Sequence, residues 1–265
     1  MDKDRLDVLM VNRGLAESRS LAQRLIMAGQ VRVTGQVSLK PADRFTHDVE
    51  IVVDQGPRFV SRGGEKLEAA LNAFKLDDLS GLVCADIGAS TGGFTDCLLQ
   101  HGACRVYSVD VGYGVLHWKM RNDARVVSME RTNARFVQGF PEQIQLVTVD
   151  VSFISLRIIL PAVRGWFGDQ EGRVLPLIKP QFEAGRIAVA RGEGVVKDPA
   201  VHRQVLLGVL EFAQKLGFGI NGLIQSPLLG PKGNIEFLAH LVYPGQPVDD
   251  YGELVESVLV AKDAG

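Results

Sequence analysis

The sequence predicts a two-part α/β protein: a mostly parallel, doubly wound sheet preceded by a small α+β unit. Three observations carry this. A glycine-rich turn, Gly88-Ala89-Ser90-Thr91-Gly92-Gly93, stands between the apolar run Leu82-Val83-Cys84-Ala85 and the amphipathic run Phe94 to Leu99, which reads as strand, turn and helix. Short apolar runs then alternate with helical periodicity, the pattern of strands laid side by side with helices between them. Before all of these, Asp54-Gln55-Gly56-Pro57-Arg58 reads as a linker, so residues 1–57 and 58–265 are expected to fold as separate domains.

Taken in order, Arg5 to Asn12 is a short amphipathic helix ended by Gly14. Ser18 or Ser20 can cap a second helix, and Ser20 with Gln23 matches a capping box; that helix ends at Gly29. Val31 to Val37 alternates around Thr34-Gly35, a hairpin signal, and Ile51-Val52-Val53 closes the unit. Beyond the linker, Ser61 to Phe74 is an amphipathic helix. Strands are expected near 82–87, 105–110, 125–129, 145–150 and 173–178. Pro199 to Leu216 is a long helix with proline at its start and Gly217 past its end. Two apolar runs, 218–225 and 236–242, follow without a clear helix between them and predict a terminal hairpin with an antiparallel strand. Glu183 to Lys197, rich in Gly and Arg, is long for a loop and reads as a lid.

Composition narrows the function classes. The 265 residues are 46% hydrophobic and 23% charged, which describes a globular chain rather than a disordered one. The net charge of −2 gives no global basic field, so a nucleic-acid partner has to be met by a local patch. The three cysteines, Cys84, Cys97 and Cys104, form no C-x-x-C pair; neither a disulfide framework nor a metal site is expected, and a reducing, cytoplasmic setting fits. The charged start Met1-Asp2-Lys3-Asp4-Arg5 has no apolar signal core behind it, and no stretch approaches the roughly 18 apolar residues of a membrane span.

The glycine turn defines its ligand by what it lacks. A dinucleotide fingerprint needs G-x-G-x-x-G, and here Ala89-Ser90 follows Gly88. A P-loop needs lysine after Gly93, where Phe94 stands. The remainder suits a cofactor with an adenosine and no phosphate, namely S-adenosylmethionine. Asp110, ending the strand Arg105 to Val109 about twenty residues on, is placed to accept hydrogen bonds from ribose hydroxyls; an ordinary strand-end cap is the other reading.

In an open parallel sheet, ligands sit at the carboxyl ends of the strands. Asp150 and Lys179 end the fourth and fifth strands, Glu236 opens the last, and Lys66 lies on the helix before the first. Each has a structural alternative: a turn cap for Asp150, charge neutralisation for Lys179, a surface ion pair for Lys66, an edge-strand charge for Glu236. In the N-terminal unit, Arg19, Arg24 and Arg32 concentrate positive charge, which from the charges alone reads first as a solvated helix surface.

The order of these residues carries a resemblance. The stretches Arg5 to Leu9 and Ser18 to Gly35 resemble the RNA-binding module named after the fourth small-subunit ribosomal protein. This implies that Arg19, Arg24 and Arg32 meet RNA phosphates. Further on, Ser61-Arg62-Gly63-Gly64-Glu65-Lys66-Leu67, Asp86 to Phe94, Glu130 to Arg135, Asp150 to Leu156, Lys179-Pro180-Gln181-Phe182-Glu183 and Gly230 to Glu236 together resemble the TlyA family, nearly end to end. That resemblance implies a Rossmann-like methyltransferase domain of the FtsJ-like type behind a ribosomal-type RNA-binding domain. It also implies methyl transfer from S-adenosylmethionine to a ribose 2′-hydroxyl of ribosomal RNA, at cytidine, and leaves open free RNA, a ribosomal subunit and an assembled ribosome as the substrate. The FtsJ-like Lys, Asp, Lys, Glu set carries over to Lys66, Asp150, Lys179 and Glu236, and cofactor binding to Asp86, Gly88, Gly92, Phe94, Asp110 and Asn133. The family's old hemolysin label supplies a membrane-lytic reading, which the absence of a span or a long cationic amphipathic segment disfavours. An RNA-binding factor with a vestigial enzyme is the remaining alternative.

Overall fold

A computed structural model describes residues 3–54, 56–185, 194–247 and 250–260. The chain forms two compact units, Met1–Arg58 and Phe59–Gly265.

The first unit contains β1 (Lys3–Arg5), α1 (Leu6–Asn12), α2 (Arg19–Met27), β2 (Val31–Val33), β3 (Gln36–Val37), β4 (Arg44–Thr46) and β5 (Ile51–Val53). Strand order is β3-β2-β5, with β1 paired to β4. The hairpin turn is at Thr34-Gly35, and both residues have positive φ (49° and 80°), as a type I′ turn demands. Leu6, Met10, Ala22, Ile26, Val31 and Val33 form this unit's own core. The cap of α2 is Ser18, whose Oγ accepts from Leu21 N at 3.3 Å. The capping box at Ser20 and Gln23 does not form, because the Gln23 amide donates to Asp7 at 2.7 Å instead. The strands β1 and β4 carry no alternating apolar pattern, which is why the sequence did not signal them.

The second unit runs α3 (Gly63–Ala73), β6 (Val83–Ile87), α4 (Gly93–Gln100), β7 (Arg105–Val109), α5 (Trp118–Arg121), β8 (Val126–Met129), a 3-10 turn (Ala134–Phe136) and β9 (Leu146–Val149). It continues with α6 (Leu156–Phe167), β10 (Gly172–Ile178), α7 (Pro180–Glu183), α8 (Pro199–Lys215), β11 (Gly219–Gln225), β12 (Phe237–Tyr243) and α9 (Gly252–Val260). The sheet order is β11-β12-β10-β9-β6-β7-β8. Pairs from β10 to β8 are parallel, and β12 is antiparallel to both neighbours. This is the doubly wound sheet that the alternation predicts. The terminal strand enters between β10 and β11 rather than adding at the edge. Helix α9 went unread in the sequence; Val255 and Val258 bury its apolar face, and it lies beside α8 and β11.

Two apolar layers cover the sheet. One holds α6 and α8 residues such as Leu160, Val163, Leu206 and Leu210 against Val147, Val174 and Leu241. The other packs Leu67, Leu71, Cys97 and Leu98 of α3 and α4 against Cys84, Val106, Leu175 and Leu238. Each fully buried leucine contributes about 2 kcal/mol of transfer free energy. The lid expected over Glu183–Lys197 lies largely outside the described residues, at 186–193. Among the described residues, no helix is long and apolar enough to cross a membrane.

Candidate active site

The chain leaves β6 through Gly88, which needs to be glycine twice over. Its φ is 82°, and a Cβ would lie 2.5 Å from the carbonyl oxygen of Asp150. The close approach brings the ends of β6 and β9 together at the point where strand order reverses, the usual ligand crevice of such sheets. Val109 O accepts from both Gly88 N (2.9 Å) and Ala89 N (3.2 Å). The Asp110 carboxylate then accepts from Ser90 N at 2.8 Å and Gly112 N at 2.7 Å. Ser90 is held at φ 49°. Asp110 thus fixes the loop and faces a cavity of about 410 Å³ lined by Gly88, Ser90, Val111, Thr132, Asn133, Ala134, Asp150, Val151, Phe153 and Ile154 among others.

Two of the six residues expected at the cofactor, Asp86 and Gly92, line neither of the two cavities at these strand ends. Asp86 is fully buried, accepting from Thr95 Oγ1 at 2.7 Å and Thr148 Oγ1 at 3.1 Å. It sits under the loop, where it links α4 to β9. Burial, with a smaller contribution from the charge of Asp150, pushes its pKa up to about 7 against the pull of the two threonine bonds. Gly92 caps α4 at φ 92°, and a Cβ there would press to 2.9 Å on Leu116 and Met120. Both residues shape the loop from behind. Gly88, Asp110 and Asn133 line the cavity just described, and Phe94 lines its neighbour. The Asn133 side chain also accepts from Arg135 N at 3.1 Å, capping the 3-10 turn.

The neighbouring cavity, about 490 Å³, shares Gly88, Ser90 and Asp150 with the first. Lys66, Asp150, Lys179 and Glu236 all line it, although they come from α3 and the ends of β9, β10 and β12. They form two ion pairs. Lys179 Nζ lies 2.5 Å from Asp150 Oδ1, a contact outside hydrogen-bond alignment, and donates to Ser152 Oγ at 3.1 Å. Lys66 Nζ donates to Glu236 Oε2 at 2.6 Å. The Glu236 side chain is fully enclosed, and Gln181 Nε2 reaches its other oxygen at 3.4 Å. Gly230 leaves room for that carboxylate, since a Cβ there would fall 2.1 Å from Glu236 Oε1. Buried pairs of this kind are costly to assemble for stability alone, so their clustering on a cavity wall points to a site.

Three partners had no assigned role in the sequence reading. Ser152 and Gln181 are polar residues inside the Asp150 to Leu156 and Lys179 to Glu183 stretches, where the pattern by itself gives neither a role. Phe153 is 90% exposed at φ 64°, an unusual conformation for an aromatic residue, and its ring lies 5.1 Å from that of Phe182. The only sequence signal for it was an aromatic residue in the turn after a strand.

In the first unit the three arginines differ. The Arg19 guanidinium binds the buried carboxylate of Asp7 at 3.0 Å, alongside Arg5 and Gln23. Those bonds, Arg5's first, hold the Asp7 carboxyl well below the usual carboxylate range. Arg32 pairs with Asp54 at 2.8 Å at the surface, and Arg24 is exposed without an ion pair among the described residues.

Comparison with known proteins adds to this geometry. The pattern of the FtsJ-like methyltransferase family matches residues 59–243, and that of the S4 domain matches residues 4–51. YqxC of Bacillus subtilis strain 168, which carries the name of an rRNA methyltransferase, is 49% identical over 92% of this chain and 87% of its own length. The 16S/23S rRNA (cytidine-2′-O)-methyltransferase TlyA of Mycobacterium tuberculosis is 46% identical over 89% of each chain. A solved structure of a hemolysin-named protein from Streptococcus thermophilus is 44% identical, covers 98% of this chain and 96% of its own, and superposes with a TM-score of 0.72.

Proposed function

The chain belongs to the FtsJ-like methyltransferase family and, through its relatives, to the TlyA group within it, and from that membership we propose that it methylates cytidine 2′-hydroxyls of ribosomal RNA with S-adenosylmethionine. The observation that carries the reading is the meeting of Lys66–Glu236 and Lys179–Asp150 on one cavity wall that shares Gly88 and Asp150 with the glycine-loop cavity.

The residues fit the cofactor. Asp110 offers a carboxylate to ribose hydroxyls, Asn133 offers an amide, and Val111, Ala134, Val151 and Ile154 give apolar walls suited to an adenine. The glycine at 88 lets the loop close on the Asp150 backbone, and no lysine stands in the loop to demand a phosphate. When bound, the cofactor supplies a methyl group already activated by a sulfonium.

The protein's own task is to place a weak nucleophile and accept its proton. In this reading Lys179 would hold and orient the 2′-hydroxyl and, in its neutral form, take the hydroxyl proton. Asp150 and Ser152 fix Nζ against swinging away. Lys66, held by Glu236, lines the same cavity as a positive charge for the RNA backbone. Gln181 braces Glu236. The exposed Phe153 ring offers an unpaired base a surface to stack on. The S4 unit supplies affinity for structured RNA through Arg19, Arg24 and Arg32. Asp86 and Gly92 act by positioning the loop.

The test is to map 2′-O-methylation across ribosomal RNA from cells with the protein, without it, and with Lys179→Ala. Cytidine modifications that vanish without the protein and stay absent in the variant are expected. In vitro, Lys179→Ala should bind cofactor normally and lose at least about 10²-fold in transfer rate. Unchanged ribose methylation in the deletion strain would defeat the proposal.

A further inference from the structure

The loops after β7 and β8 carry exposed rings and cations that the reaction above does not use. Tyr113, Trp118 and Phe136 are all 67% exposed or more. The two loops are knitted together: Arg131 N donates to Gly112 O at 2.9 Å, Thr132 N to Asp110 O at 2.9 Å, and Gly114 N to Glu130 Oε1 at 3.1 Å. Scattered single apolar residues on a surface need no explanation, but rings gathered on joined loops do.

The cations beside them are set apart by their partners. Lys119, Arg121 and Arg125 each pair with a carboxylate, Asp96, Glu130 and Asp123 respectively. Arg131 and Arg135 have no carboxylate partner among the described residues. Each instead lies over a ring, Arg131 at 4.1 Å from the centre of Tyr113 and Arg135 at 5.2 Å from that of Phe136. Between Val111 and Phe136 five Lys and Arg face two Asp and Glu, a positive surplus in a chain of net charge −2. A guanidinium lying on a ring keeps its outer N–H groups directed outward at low entropic cost, ready for an anion.

We propose that Tyr113, Phe136, Arg131 and Arg135 form a second RNA contact on the methyltransferase unit, stacking unpaired bases on the rings and binding phosphates with the guanidiniums. The proposal rests on the reading of the chain as an RNA methyltransferase and extends it. Val111, Thr132, Asn133 and Ala134 belong to the same loops and line the glycine-loop cavity, so the surface borders the reaction site. Alternating cations and rings are what single-stranded RNA needs, because every base has a π-face and every linkage a charge.

The experiment uses full-length protein, a fluorescent mixed-sequence single-stranded oligoribonucleotide and purified ribosomal subunits. The variants are Arg131→Gln/Arg135→Gln and Tyr113→Ala/Phe136→Ala, with Arg131→Lys/Arg135→Lys keeping charge without the planar fork. Each of the first two should weaken oligonucleotide binding about ten-fold at physiological salt. The glutamine variant should lower the slope of log affinity against log salt by about 1.4, the lysine variant should keep that slope, and the aromatic variant should leave it unchanged. Affinity for S-adenosylhomocysteine by calorimetry should stay within about two-fold. Unaltered RNA affinity in both double variants would overturn the proposal, as would absence of oligonucleotide binding by the wild type. A selective loss of S-adenosylhomocysteine affinity would overturn it too, by making the rings a cover for the cofactor. RNA binding is read separately from methyl transfer. A protein that binds through these residues yet methylates no ribosomal RNA keeps the surface and loses the proposed reaction; one that methylates with all four residues dispensable does the reverse.

Discussion

Asp86 is a carboxylate enclosed in the core, and its pKa near 7 makes it a pH-dependent element of stability. Its folded value lies above the ordinary 3.8, so the folded state keeps the proton after the unfolded chain has shed it. The contribution is fully present below 3.8 and lost as pH rises through about 7, at up to about 1.4 kcal/mol per pH unit. His240 works in the opposite sense. Burial, helped by Arg173, lowers it from 6.5 to about 4, so its contribution is full above 6.5 and lost as pH falls through about 4. Asp86→Asn should therefore remove a decline between pH 4 and 7 and leave the acid-side loss due to His240. Urea midpoints taken across that range will show it; parallel profiles for variant and wild type would contradict the assignment. Asp110 is a different case, since its carboxylate faces a cavity. Asp110→Ala should weaken cofactor binding ten- to a hundred-fold, about 1.5–3 kcal/mol for lost charged hydrogen bonds. Calorimetry on the folded variant decides it. The sequence assigned both aspartates to the cofactor but could not separate them, because which one faces inward depends on Thr95 and Thr148 reaching Asp86 from elsewhere in the fold.

Among the elements, the short helix α7 is a brace between two parts of the site. Glu183 at its end accepts from Ser155 Oγ at 2.6 Å and Leu156 N at 2.7 Å, closing the N-terminus of α6. Phe182 lies against Phe153 in the loop that follows Asp150. The helix thus ties the end of β10, with Lys179, to the loop after β9, with Asp150 and Ser152. Glu183→Ala should cost about 1–2 kcal/mol as a lost cap and lower kcat several-fold by loosening that loop. Glu183→Gln, which keeps an oxygen for Leu156 N, should recover most of both. Thermal melts and single-turnover rates check this; a variant that loses stability alone would make Glu183 a cap with no bearing on the site. The strands and the long helices were legible from periodicity, with Val83–Ile87 and Pro199–Lys215 falling within two residues of the sequence expectation. Helix α7 was not, because four residues carry no period.

At the scale of the whole molecule, each unit has its own apolar core, Leu6, Met10 and Ile26 in the first and the two layers about the sheet in the second. A fragment beginning at Phe59 keeps the entire sheet and α3, so it should fold and bind cofactor with near wild-type affinity. It should lose most productive RNA binding, and charge reversal at Arg19 and Arg24 in the full chain should mimic that loss and flatten the salt dependence. Affinity and methyl transfer measured over a salt series test both. Equal methylation by fragment and full chain at every salt concentration would leave the S4 unit without its assigned task.

The sequence by itself determined the two units, the alternation that makes a doubly wound sheet, and the kinds of residue at the strand ends. Those are properties of local period, glycine placement and order along the chain, and they require no partner to be known. Only the tertiary structure decided which of the marked residues meet. Lys66 and Glu236 are far apart in the chain and 2.6 Å apart in space, because β12 enters the sheet beside β10 and carries Glu236 to α3. Packing within each unit likewise turned Asp86 inward in the second and drew Gln23 away from a cap to Asp7 in the first. A buried charge settles where its partners are, and partners distant in sequence are fixed by sheet order rather than by spacing.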